Sequence, residues 1–196
     1  MRIIAGKFRR RKLQTNPGLV TRPITDRVKE SLFENIEKRV IGSRVADIFA
    51  GTGTIGLEAL SRGAECVTFL EKDRIAVRLL RENLEILECE EDCLVWPADI
   101  FRCSFKPKGK KAEKFSPFDL MFFDPPYKMV SDIREGSPLW LALSRLGRPD
   151  ISSEKATLIF RTPDRAEFEL PDCWQIDWTL EMSNMKLHVC NKREEA

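Results

Sequence analysis

The 196-residue chain predicts an α/β fold, a mostly parallel sheet with helices on both faces. Three observations carry this. Beyond residue 42, short apolar runs alternate with segments whose apolar residues recur every three or four positions. Strands that alternate with crossover helices make a parallel sheet. Turn-forming or acidic residues close most of the runs, and the last two runs are separated only by Ser183-Asn184, which makes them an antiparallel hairpin.

Residues 2–5 and 8–13 are short strand-like runs about Gly6-Lys7, expected as a basic β-hairpin, and TNPGLVTRP (15–23) is a linker of turn residues. Thr25 and Asp26 offer N-cap groups to a helix with Val28, Leu32, Phe33, Ile36 and Val40 at helical spacing. A buried strand over 45–50, a helix over 54–62 and a strand over 67–71 follow. Asp73 caps a helix to about residue 87, with Ile75, Leu79, Leu80, Leu84 and Leu87 expected on its inner side. Further strands are expected over 94–96, 120–123 and 156–160, with a helix over 139–146 before the last of these. Strands over 174–182 and 185–190 bring the count to seven. No internal repeat is present.

A chain of this length buries roughly 70% of its unfolded surface, so one core suffices without metal or disulfide staples. No run of eighteen apolar residues is found, and MRIIAGKFRRRKL lacks an apolar stretch before a cleavage site. Neither a membrane span nor a secretory signal is expected, and the cytoplasm is the expected compartment. The six cysteines form no Cys-x-x-Cys pair and His188 is the single histidine. No metal site is therefore expected, although Cys89, Cys93 and Cys103 lie close in sequence. His188 reads as structural.

The net charge of +2 conceals an asymmetry. Residues 1–30 hold nine basic residues (Arg2, Lys7, Arg9, Arg10, Arg11, Lys12, Arg22, Arg27, Lys29) against Asp26 and Glu30. That segment carries +7 and the remainder −5, the footprint of an arm for a polyanion such as nucleic acid. A solubilising charge run is the plainer account. The lysines at 106, 108, 110, 111 and 114 are explained as well by a solvated loop as by a binding patch.

Ligands of such sheets bind beyond the carboxyl ends of the strands, so motifs there carry the chemistry. The first is Asp47-Ile48-Phe49-Ala50-Gly51-Thr52-Gly53, continuing to Gly56. Its glycines let the backbone turn tightly and approach a ligand, with helix-start amides facing it. Glu71 closes the next strand at the spacing of a ribose-binding acid, so an adenosine ligand is predicted, either a dinucleotide or S-adenosylmethionine. Glu71 can accept both ribose hydroxyls. Asp99 can accept the adenine amine, or cap a helix from Ile100 onward.

The fourth strand end is Asp124-Pro125-Pro126-Tyr127, after the apolar run LMFF. This tetrapeptide resembles motif IV of the amino-methyltransferases, which methylate exocyclic amines of bases. Asp124 can accept one amine N–H and the Pro125 carbonyl the other. Two prolines stiffen the loop, and Tyr127 can stack on a flipped base.

The stretch FAGTGTIGLEALSRGAECVTFLEKD, with RIIAGKFRRRKL, TRPITDRVKESLF and FDLMFFDPPY, resembles the RsmD family of bacterial small-subunit rRNA guanine-N2 methyltransferases. The resemblance covers most of residues 1–127. It implies a Rossmann-like class I methyltransferase domain over 21–196, preceded by a basic hairpin extension over 1–20. By it, Asp47, Phe49, Ala50, Gly51, Thr52 and Gly53 would hold the methionine part of S-adenosylmethionine, Glu71 the ribose and Asp99 the adenine, with Lys72 and Ile100 beside them in the cofactor site. Asp124 to Tyr127 would hold the guanine for direct in-line displacement. Arg22, Thr25 and Arg27 would wrap the cofactor and RNA entrance, and Arg2, Lys7, Arg9, Arg10, Arg11 and Lys12 would grip rRNA phosphates. The implied substrate is rRNA in a partly assembled small subunit, and the implied state a monomer. The chain departs from the family in having Arg10 where glycine, and Ile24 where threonine, is frequent. It also has Ser183-Asn184 in place of a Tyr-Gly turn.

A DNA adenine-N6 or cytosine-N4 methyltransferase would use the same loop but needs more chain to recognise its target. A protein-glutamine methyltransferase would have Asn at 124, and a nicotinamide oxidoreductase leaves 124–127 unexplained. A non-catalytic RNA-binding protein on this scaffold need not keep the acids and glycines at all four strand ends.

Overall fold

The computed structural model describes residues 1–15, 24–182 and 184–193. Arg22, most of the 15–23 linker and Ser183 of the tail turn lie outside the described residues. Seven strands form one sheet: β1 (Arg44–Ile48), β2 (Cys66–Glu71), β3 (Cys93–Pro97), β4 (Phe118–Phe123), β5 (Ser152–Pro163), β6 (Trp174–Met182) and β7 (Met185–Lys192). Their order is β3-β2-β1-β4-β5-β7-β6, parallel through β5, with β7 antiparallel to both its neighbours. The helices are α1 (Asp26–Val40), α2 (Thr54–Ser61), α3 (Arg74–Leu87) and α4 (Pro138–Leu146).

Successive strand residues face opposite layers. Leu120 and Phe122 of β4 enter a core with α1, α2 and α3, whereas Met121 and Phe123 enter a second core with α4. Each long helix starts on a side-chain cap. Thr25 accepts from Val28 N–H at 3.4 Å, Asp73 from Ala76 N–H at 2.8 Å, and Ser137 from Trp140 N–H at 3.4 Å. Such caps stabilise a helix by about 1 kcal/mol.

The structure corrects several expectations. Strand β5 extends to Pro163 rather than ending near 160, because β7 pairs with it through Pro163, three residues beyond its last β4 partner, Phe160. Ile75 is 51% exposed and Leu79 only half-buried, and the buried residues of α3 are Ala76, Val77, Leu80, Asn83, Leu84 and Leu87. No helix begins at Ile100. Asp99 instead caps a turn through Phe101 N–H at 3.1 Å.

The N-terminal hairpin reduces to one antiparallel bridge, Arg2 to Lys12, around a tight turn. Ile3 N–H donates to the Arg11 carbonyl and Leu13 N–H to the Met1 carbonyl, both at 3.0 Å, and tertiary packing adds to this pairing. Ile3, Phe8 and Leu13 are buried in the α1–α3 core, and Ile4 and Ala5 donate their N–H groups to Glu58 of α2 at 2.8 and 3.1 Å. Phe8 N–H donates to Ser61 Oγ at 2.9 Å. A Cβ on Gly6 would stand 1.7 Å from the Ser61 carbonyl oxygen, so only glycine lets the arm lie on α2. Arg10, at the position where the family often has glycine, has φ +69°, a left-handed conformation that costs a side-chain-bearing residue about 1–2 kcal/mol. Ile24 is 2% exposed and packs in the same core.

Candidate active site

The sheet order sets β1 beside β4, where the direction of winding reverses and α/β sheets bind ligands. Register there is tight. Ile48 pairs with Leu70 and Phe123, and Phe123 with Phe160. The next residues on these strands, Phe49, Glu71, Asp124 and Arg161, therefore form one row across the carboxyl edge, with Asp47 two residues behind on β1.

The glycine turn opens this row. Phe49 is left-handed at φ +66°, and Phe49 and Ala50 both donate N–H to the Leu70 carbonyl at 3.1 Å. Gly53 has φ +82°, and a Cβ there would stand 2.4 Å from Leu80 Cδ1. The Cβ direction of Gly51 meets nothing within 4 Å, leaving room for a ligand against the loop. Asn83, fully buried on α3, fixes the loop from behind. Its Nδ2 donates to the Thr52 carbonyl at 3.0 Å and to the Gln14 carbonyl at 3.1 Å, and its Oδ1 accepts from Gln14 N–H at 2.6 Å.

Asp47 is 1% exposed and accepts from Gly56 N–H at 2.8 Å. Burial pushes its carboxyl up to about 7. The Gly56 amide opposes that rise, and the charges of Asp124 and Glu71 add to it. Glu71 accepts from Gly51 N–H at 2.8 Å on one oxygen, and from Lys72 and Asp73 N–H at 2.8 and 2.9 Å on the other. A carboxylate has about four acceptor positions. Three backbone amides thus leave room for one ribose hydroxyl, and a second requires an amide to yield.

The Asp124 side chain is 18% exposed, and its Oδ1 lies 2.7 Å from Arg161 Nε. Burial raises its carboxyl to about 6, against the pull of the Arg161 charge. The Arg161 guanidinium also lies 5.4 Å from the centre of the Tyr127 ring. Tyr127 opens a short 3-10 helix (Tyr127–Asp132) whose first bond runs from Met129 N–H to the Pro126 carbonyl at 2.9 Å. Among the described residues no backbone hydrogen bond takes the Pro125 carbonyl.

The structure thus brings Asp47, Phe49, Ala50, Gly51, Thr52, Gly53, Glu71 and Asp124 to Tyr127 onto one edge. Asp99 is exposed just beyond β3, and Ile100 is buried in the α4-side core. The Thr25 hydroxyl is engaged as the α1 cap, and Lys72 is exposed. The basic residues stand elsewhere. Lys7 N–H bonds to the carbonyl of Ser61, the last residue of α2, a helix about 12 Å long. Lys7, Arg9, Arg10, Arg11 and Lys12 are exposed around that end, with Arg11 also donating to the Ile86 carbonyl. Arg2 pairs with Asp26 at 3.0 Å, and Arg27 is exposed on the first turn of α1. Lys106 and Lys114 pair with Asp150 and Asp92, near the opposite edge of the sheet.

Sequence reading missed Arg161 and Asn83. Arg161 follows the apolar run TLIF as Glu71 and Asp124 follow theirs, a signal of the same kind. Asn83 left no trace, since a polar residue among helical apolar positions looks like a surface one. His188 is structural, as expected: its ring nitrogens lie 3.1 Å from Thr162 Oγ1 and 2.9 Å from Thr179 Oγ1, and burial lowers it to about 4. All six cysteines are free. No helix among the described residues is long and apolar enough to cross a membrane.

Comparison with known proteins completes this picture. Residues 1–186 match the family described as Conserved hypothetical protein 95. Ribosomal RNA small subunit methyltransferase D of Haemophilus influenzae is 40% identical over 127 residues, covering 65% of this chain and 64% of that protein. The match therefore spans just under two thirds of that relative. The solved structure of yhhF from Escherichia coli is 28% identical with a TM-score of 0.80, covering 100% of this chain and 99% of that one. An RNA methyltransferase from Salinibacter ruber, solved in complex with S-adenosyl-L-homocysteine, shares the fold at TM-score 0.62 and 14% identity, covering 89% of this chain and 95% of that one. The architecture is the class I methyltransferase fold.

Proposed function

The chain belongs to the family described as conserved hypothetical protein 95, and from that premise we propose that it methylates the exocyclic N2 amine of a guanine in small-subunit rRNA, using S-adenosylmethionine. The observation that carries this is the acidic row at the β1–β4 reversal, Asp47, Glu71 and Asp124, with Pro125, Pro126 and Tyr127 attached to its substrate side. The donor set fits the cofactor. Buried carboxylates outnumber the cations facing them, which suits a ligand with an ammonium and a sulfonium, and Gly51 leaves open space against the loop. When bound, S-adenosylmethionine supplies an electrophilic methyl group.

Each residue then has a role. Asp47 and the 49–53 turn hold the amino-acid end, Glu71 accepts from the ribose, and Asp99 and Ile100 border the adenine. Asp124 and the Pro125 carbonyl accept the two N–H bonds of guanine N2. That amine is a poor nucleophile because its lone pair is delocalised into the ring. Acceptors on both hydrogens favour the pyramidal amine and oppose the positive charge that develops as it attacks. Tyr127 receives the face of the flipped base. The exposed arm residues contact phosphates about one helix length from the base, with Thr25 and Arg27 at the entrance. The substrate is rRNA within a partly assembled subunit, the protein acts as a monomer, and the compartment is the cytoplasm.

The test is transfer of labelled methyl to unmethylated small subunits, deproteinised rRNA and duplex DNA in parallel, followed by nucleoside mass spectrometry. N2-methylguanosine in RNA is the expected product. Methyladenine or methylcytosine in DNA would replace this reading with that of a DNA amino-methyltransferase. Cofactor binding without transfer to any acceptor would leave a binding protein on an enzyme scaffold.

A further inference from the structure

We infer that Arg161 is a positioning residue that holds the Asp124 carboxylate and the Tyr127 ring as one unit facing the target base. The inference rests on the guanine-N2 reading and deepens it. Arg161 stands beside Asp124 because Phe123 and Phe160, the residues before them, are register partners of β4 and β5. Its Nε lies 2.7 Å from Asp124 Oδ1, while the same guanidinium lies 5.4 Å from the Tyr127 ring centre. The Arg161 side chain is only 9% exposed, so both contacts form out of bulk water.

One planar cation thus addresses the acceptor of the amine proton and the stacking platform for the base. A lysine could supply the charge but not the flat surface. The groups around Asp124 make the cation necessary. Asp47 faces it from β1 with Glu71 of β2 beyond, both acidic, and Tyr127 lies on its own loop. Arg161 of β5 is the charged group that favours the Asp124 carboxylate over its acid. A protonated Asp124 would offer an O–H where the amine needs an acceptor.

The test compares the wild type with Arg161→Gln and Arg161→Lys, each confirmed as folded by circular dichroism. Carbon-13 carboxyl NMR of the cofactor-free protein follows the titration of Asp124. Loss of an opposite charge in contact raises a carboxyl pKa by about 1–3 units, so the Asp124 midpoint is expected to rise by that much in Arg161→Gln. Methyl transfer at pH 7 then falls roughly 2–100-fold in kcat and recovers as pH is raised, with KM for S-adenosylmethionine little changed. Arg161→Lys retains the midpoint but loses kcat at every pH, because the ring loses its planar partner.

An unmoved Asp124 midpoint in folded Arg161→Gln overturns the inference whatever the enzyme transfers. So does a wild-type kcat in Arg161→Lys. If the midpoint moves as expected while the wild type forms no N2-methylguanosine, the guanine reading falls, and the base-facing role of Arg161 falls with it.

Discussion

Helix α2 touches two clusters of buried charge, and they are built in opposite ways. Glu58 has no exposed side-chain surface and accepts from Ile4 N–H, Ala5 N–H, Arg62 Nε and Lys29 Nζ, the last two at 2.8 and 3.4 Å. Lys29, equally buried, also donates to the Arg2 carbonyl at 2.7 Å. One carboxylate there meets two cations and two amides. Two residues earlier on α2, Gly56 N–H reaches Asp47, which shares the carboxyl edge with Glu71 and Asp124, and Arg161 pairs with Asp124. The saturated cluster welds the basic arm to the core. The acidic row is under-compensated, and burial pushes two of its carboxyls toward their neutral forms. A saturated buried cluster does structural work, whereas one short of positive charge is prepared for a ligand that brings it.

The largest effect that could break this contrast is on stability. Glu58→Ala leaves Lys29 buried beside Arg62 without its carboxylate, and breaking a buried pair in this way costs about 3–5 kcal/mol. Urea denaturation should show that loss. A change under 1 kcal/mol would mean that the arm is not held by Glu58.

Next is the pH dependence of the ligand-free protein. Asp47 is raised from 3.8 to about 7 and Asp124 from 3.8 to about 6, so the folded state binds more protons than the unfolded one across that window. Their contribution to stability is present below about 4 and is lost as pH rises through 6 and 7. Asp47→Asn should remove part of that decline in a series of melts, and S-adenosylmethionine should offset it in the wild type. Stability that rises from pH 5 to 7 by the same amount in both proteins would contradict the assignment.

Smaller is the effect of Asn83→Ala, which strips partners from the Thr52 carbonyl and from both polar groups of Gln14. A loss of about 1–3 kcal/mol is expected, with weaker cofactor binding by calorimetry because the glycine turn is loosened. The smallest is Arg10→Gly. Relief of a left-handed residue should stabilise the fold by about 1 kcal/mol, while removal of one phosphate contact should lower the salt slope of RNA binding by about one. A destabilised Arg10→Gly protein would show that the arginine packs better than its backbone suggests.

Much of this contrast was legible in the sequence, and unevenly so. Strand ends marked by Asp47, Glu71, Asp99 and Asp124 stood out because period-2 and period-3.6 patterns locate an edge within a residue or two. The seven strands and four α-helices followed from the same periodicity. Hidden were the partners that topology alone brings together. Glu58 looked like an ordinary polar position of an amphipathic helix, yet it receives the backbone of residues 4 and 5, more than fifty positions away. Arg161 became a neighbour of Asp124 only through the β4–β5 register. The arm is the short hairpin its patterning suggests, but nothing in Ile3, Phe8 and Leu13 told that its apolar side packs against helices.

The most direct test of the acidic row as the site of methyl transfer is Asp124→Ala, assayed on unmethylated small subunits with nucleoside mass spectrometry. Binding of S-adenosylmethionine is measured on the same preparation. The account predicts N2-methylguanosine from the wild type and a rate at least about 10²–10³-fold lower in the variant, with cofactor affinity little changed. Near-normal turnover by Asp124→Ala would contradict it.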